Sequence, residues 1–152
     1  MRTIGVIGKN EMETCEEISN LINIQADLFC LSENVPAKKL DILIINEVSP
    51  DLEKFISLLD DKKVVIVNSD DKEIFRQLNS HKLMLMTYGF NSKACLTTSS
   101  VQEDEISVCV QREITSLAGN KWENQEFPIR IKEEMGNVNS VLAAVCAAIL
   151  LY

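Results

Sequence analysis

The residues with a capacity for chemistry sit where short apolar runs end. Gly8-Lys9-Asn10-Glu11-Met12-Glu13-Thr14 follows the run 4–7. Gly8, Asn10 and Thr14 at that spacing suit an anion loop, because glycine lets backbone N–H groups converge and a Ser/Thr hydroxyl can hold a metal. Glu47 follows the run 41–45. A carboxylate at the carboxyl end of a buried strand lies where α/β proteins bind ligands, so Glu47 is the candidate metal ligand, with a solvated cap as its alternative. Asp70 and Asp71 follow the run 64–67 and either contact a ligand or stabilise a helix start. Asn137 precedes the last apolar stretch and either holds a base edge or caps a helix. The five cysteines, Cys15, Cys30, Cys95, Cys109 and Cys146, are odd in number and show no CxxC spacing. Neither a disulfide framework nor a zinc site is expected from them; reduced, mostly buried thiols are. The single histidine, His81, lies in the polar turn Asn79-Ser80-His81-Lys82, so it reads as a surface residue and leaves no Cys/His or Ser/His/Asp centre.

The elements that position these residues follow from periodicity. Runs 2–7, 26–31, 41–45, 64–67 and 83–87 are short and apolar with little alternation, which suits parallel strands covered on both faces. Between them, residues 12–24, 50–59 and a stretch ending at Leu78 carry apolar side chains at helical spacing. Ser49 is the expected cap and Pro50 the first residue of the second helix, and Asn68 or Ser69 the cap of the third. Strands alternating with helices predict a three-layer α/β sandwich. After Tyr88-Gly89 the pattern changes. Residues 94–98, 105–113 and 127–132 read as strands with no helix between them, turning at Ala118-Gly119-Asn120. An antiparallel edge or meander is therefore expected in the last third. A final helix, 139–151, is apolar almost all round and should be buried.

Composition excludes several classes. A length of 152 residues suits one domain, 1–152. With 46% hydrophobic and 25% charged residues the chain is globular rather than disordered. The net charge of −8 opposes nucleic-acid binding. The apolar C-terminal stretch is shorter than the roughly 18 residues needed to span a bilayer, and no signal-peptide core follows Met1. A cytoplasmic protein with no membrane contact is expected.

Taken in order, the segments resemble the central, ATP-binding domain of the Mur ligases, the family that includes folylpolyglutamate synthetase. Thr3-Ile4-Gly5-Val6-Ile7-Gly8-Lys9-Asn10-Glu11-Met12-Glu13-Thr14 resembles the family's strand and GTNGKTT loop. Asn46-Glu47-Val48-Ser49 is similar to the segment whose glutamate binds magnesium. Asn68-Ser69-Asp70-Asp71 resembles N-x-D-D, and Thr87-Tyr88-Gly89 the T-Y-G that follows it. Gly136-Asn137-Val138-Asn139-Ser140-Val141-Leu142-Ala143-Ala144 is similar to H-N-V-x-N-x-L-A-A. The resemblance implies ATP and magnesium as cofactors, with Gly8, Asn10, Thr14 and Asn137 on the nucleotide and Glu47 on the metal.

The departures point the other way. Glu11, Met12 and Glu13 replace the second glycine, the lysine and the first threonine of the loop. A carboxylate roughly 4 Å from a phosphate is repelled by about 4 kcal/mol at an effective dielectric of 20. The metal-bridging lysine and the D-H segment have no counterpart between Glu47 and Asn68, and Gly136 and Ser140 stand at the histidine and second asparagine of the last motif. The favoured function is a degenerate, non-catalytic binding or regulatory module with no cofactor, linked by resemblance to cell-wall synthesis. The alternative is a nucleotide- and metal-binding subunit that supports an ATP-dependent amide ligase with a partner chain. Trp122, between Lys121 and Glu123, is expected to be exposed and to lie near a protein-partner or self-association surface.

Overall fold

The computed structural model describes residues 1–21, 26–131 and 137–152. In chain order its first elements are β1 (Arg2–Ile7), α1 (Glu11–Leu21), β2 (Ala26–Cys30), β3 (Leu40–Ile45), α2 (Leu52–Ile56), β4 (Leu59–Asn68) and α3 (Lys72–Leu78). Then follow β5 (Met84–Tyr88), β6 (Leu96–Val101), β7 (Glu105–Val110), β8 (Ile114–Thr115), β9 (Lys121–Trp122), β10 (Gln125–Arg130) and α4 (Val138–Leu151). The architecture is α/β, with an eight-stranded sheet in the order β10-β7-β6-β5-β4-β3-β1-β2.

The unalternating apolar runs form the centre of that sheet. Ile4 lies beside Ile42, and Ile42 beside Val64, in parallel register. α1 and α4 cover one face, over Ile4, Val6, Ile44 and Ile66. α2 and α3 cover the other, over Ile7, Leu43, Ile45 and Val67. Burial on both faces is what permits β-branched residues at consecutive positions. β7 instead alternates, with Ile106, Val108 and Val110 buried between half-buried neighbours. It pairs antiparallel with β6 and β10, as the alternation predicts. α4 is buried nearly all round, and no helix among the described residues is long and apolar enough to cross a membrane.

Several boundaries differ from expectation, each because a strand or turn claims the residues. α2 spans Leu52–Ile56 rather than 50–59, because Leu59 pairs with Leu40 and starts β4. Ser49 accepts from the Asp51 N–H at 3.2 Å and does not cap, so Pro50 precedes the helix. The cap of α3 is Asp71, whose carboxylate accepts from the N–H groups of Glu73 and Ile74. Asn68 and Ser69 are not caps; Asn68 accepts from the Asp70 N–H and shapes the preceding turn. β7 ends at Val110 rather than 113, with one further ladder-like bond from the Gln111 N–H to the Cys95 carbonyl before the chain passes to β8 at Ile114. The turn at 118–120 exists, but it closes β8 and β9 into a separate two-stranded sheet, Ile114 opposite Trp122. β5 pairs with β6 at one position only, Tyr88 with Leu96. The ends expected at residues 24 and 132 lie outside the described residues.

Candidate functional site

The carboxyl ends of β1, β3, β4 and β5 converge with the N-termini of α1 and α4. β2 lies on one side of β1 and β3 on the other, so the β1 and β3 loops form the point where chain order reverses, the usual ligand position in open α/β sheets. Gly8 and Asn10 turn the chain there with φ of +93° and +61°. A side chain at Gly8 would meet Glu47, whose Cβ lies 2.7 Å from where a Gly8 Cβ would sit. Gly8 and Glu47 are thus brought together at this end of the sheet.

What fills this loop is the chain itself. Glu11, the first residue of α1, is only 8% exposed. Its Oε1 accepts from the Gly8 N–H at 2.9 Å and its Oε2 from the Ser32 hydroxyl at 2.6 Å. A carboxylate therefore takes the backbone donor that a phosphate loop would offer to its ligand, at the positive end of a helix. Glu13 does the same for α4, its Oε1 accepting from the Asn137 N–H at 2.6 Å. Thr14 is fully buried. Its hydroxyl donates to Ser140 Oγ at 3.2 Å and accepts from Asn46 Nδ2 at 3.0 Å. The Asn46 amide also donates to the Lys9 carbonyl. Asn137 uses its Oδ1 to cap α4, accepting from the Asn139 N–H. Glu47 is exposed, and its carboxylate makes no hydrogen bond or ion pair among the described residues. Among those residues no group of three or more His, Cys, Asp or Glu side chains is placed to hold a metal ion. Gly136 lies outside them.

Two clefts flank the loop. One, about 460 Å³, has Glu11, Glu33, Glu47 and Asp51 on its wall against one cation, Lys54, so its field disfavours a phosphate. The other, about 200 Å³, is lined by Asn10, Asn46, Asn68, Tyr88, Asn137 and Asn139. Asn139 Oδ1 is buried without a hydrogen-bond partner among the described residues. Burial pushes the Tyr88 phenol well above its ordinary range, helped by the neighbouring Cys146 and by the carboxylates of Asp71 and Asp70. Asp70 is spent on the next turn, accepting from the Phe90 N–H and the Asn91 amide.

The remaining candidates are placed as follows. Cys146, on the helix that is buried nearly all round, is the one buried cysteine, and the other four are half-buried rather than buried. Cys15 and Cys30 face each other with sulfurs 3.7 Å apart. His81 is part-covered rather than fully on the surface, with Nε2 2.8 Å from Glu53 Oε1. Trp122 is not an exposed aromatic. It is half-buried, with ring centroids 6.2 Å from Phe127 and 5.5 Å from Tyr152. Sequence reasoning missed Ser32 and Asn46, and nothing local in the sequence marks them, since their partners are distant in the chain. Compared with known proteins, the chain matches no family model and no curated protein.

Proposed function

We propose that this chain is a non-catalytic binding or regulatory module of Mur-ligase-like descent, working in the cytoplasm on a protein partner. The observation that carries the reading is the Glu11 carboxylate on the Gly8 N–H and the Ser32 hydroxyl. The residues do not fit a magnesium triphosphate. The loop donor is occupied, the Thr14 hydroxyl is bound to Asn46 and Ser140, and the larger of the two adjoining clefts is walled by carboxylates. The link to peptidoglycan synthesis rests on the sequence resemblance.

Calorimetry with ATP and magnesium is expected to show no binding tighter than about 1 mM, or about −4.1 kcal/mol. A tighter site would overturn the reading. The combined variant Glu11→Gly, Met12→Lys, Glu13→Thr frees the loop donor and reverses its charge, and is expected to gain measurable nucleotide affinity. A second reading, a nucleotide- and metal-binding subunit of a two-chain ligase, is favoured by two features: Glu47 stands unbonded beside Gly8, and Asn139 Oδ1 offers a buried acceptor at the start of α4. A melting temperature raised by ATP with magnesium only when a partner chain is added would select it.

A further inference from the structure

At the amino end of the parallel strands, away from the loops above, lies a third cleft of about 440 Å³. Met84, Leu85 and Met86 of β5 form one wall, Ile114 of β8 another, and Leu117 and Leu150 close it. The cleft exists because the sheet is interrupted. β5 pairs with β4 along its whole length, from Met84 beside Val64 to Tyr88 beside Asn68. With β6 it shares only the pair Tyr88 and Leu96. Among the described residues, no strand lies beside Met84, Leu85 and Met86 on that side.

The direction of the main chain follows from its bonds. The Tyr88 carbonyl accepts from the Ser69 N–H on the β4 side, and the Gly89 N–H donates to the Leu96 carbonyl on the β6 side. Alternation along an extended strand then puts the N–H and C=O of Leu85 and the N–H of Thr87 on the open side, while the Thr87 carbonyl faces Leu96 in the single bridge. A small apolar ligand would strip water from these groups and return no hydrogen bond, whereas an extended peptide returns them. Charge narrows the class further. Of the two charged side chains on the cleft wall, Glu113 already has Lys121 at 3.8 Å. Among the described residues Lys62 has no carboxylate partner, and its Nζ reaches the Leu117 carbonyl at 3.4 Å. The unmatched charge is positive, in a chain of net charge −8.

We propose that this cleft receives an extended segment of a partner protein, which adds as a strand to the open side of β5 and presents a carboxylate to Lys62. The segment is apolar at alternate positions, to face Met84, Met86 and Leu117. The proposal rests on the reading of the chain as a binding module and gives that module its contact surface, since Ile114 on the cleft wall pairs with Trp122 behind it.

The test pans the whole chain with heptapeptides that fix valine or leucine at alternate positions and aspartate at the end. Selected peptides are expected to bind with a Kd below about 100 µM and to slow amide exchange at Leu85 and Thr87 at least tenfold. Lys62→Glu and Met84→Glu, both at exposed side chains, are each expected to weaken binding at least tenfold, while Lys72→Glu on α3 leaves it unchanged. N-methylation along the peptide should find one register in which affinity falls tenfold. The proposal is overturned if no peptide binds more tightly than about 1 mM, if Leu85 is already protected in the free chain, or if bound peptides protect another segment. ATP binding to the free chain would overturn the functional reading without touching these peptide results, so the two failures are distinguishable.

Discussion

Glu11 and Glu13 show how a single side-chain type can reverse the use of a loop. Each places a carboxylate on backbone donors at a helix start, where a negative charge stabilises the helix and keeps an external anion out. Near them, Cys15 illustrates a different effect of burial. Its thiol is pushed up to about 12 from an ordinary 9.0, by burial first, then by the hydrogen bond and charge of Cys30, and by Glu11. A group that the fold holds protonated stabilises it fully below the ordinary value, and that contribution is lost as pH rises toward the folded one. Stability is therefore expected to fall between about pH 9 and pH 12, and Cys15→Ala to flatten part of that fall. Urea midpoints of both proteins at pH 8 and about pH 10.5 measure it; equal slopes would remove the claim. The sequence showed that Glu11 opposes a phosphate. It did not show that the carboxylate is buried, because its second partner, Ser32, comes from the turn after another strand.

α1 and α4 are joined at their starts by polar bonds: Thr14 to Ser140, which is buried, Asn46 to Thr14, which is part-buried, and Glu13 to Asn137 at the surface. These bonds lie where the two helices begin, beside the loop. Thr14→Val keeps the shape and leaves Asn46 and Ser140 each short of a partner, which is expected to cost about 1–3 kcal/mol. Thr14→Ser should recover most of it, with both read from urea unfolding; a Val variant as stable as the parent would show the two groups are satisfied elsewhere. The elements themselves were legible where the apolar pattern is long. The central strands and α4 fall where their runs predicted. The short helices were not bounded correctly, since the spacing of Leu52, Phe55, Ile56 and Leu59 fits a helix through Leu59. Only the pairing of Leu59 with Leu40, a long-range fact, ends it earlier.

At the scale of the molecule, the mixed direction of the sheet followed from the change of pattern after Tyr88, while its strand order and its interruption did not. A single bridging pair and a separate hairpin leave no trace in local periodicity. The edge strand β10 carries exposed Glu126, Pro128 and Arg130, and proline and charge on an edge oppose pairing with another chain. Contact through this region is therefore expected to use side chains around Trp122 rather than a strand added at β10. Light scattering should show either self-association or a monomer that joins a partner, and Trp122→Ala should weaken whichever occurs, with Trp122→Phe retaining it. A strictly monomeric chain whose partner ignores Trp122 would end that expectation. The lone Tyr88–Leu96 bridge has a mechanical meaning as well. α4 touches β4, β5, β6 and β8, so it acts as the spine of a book whose covers are the two halves of the sheet. Force applied across the seam is expected to peel apolar side chains from that spine one after another, instead of shearing a row of ladder bonds at once, so that the seam yields before the fully paired strands do.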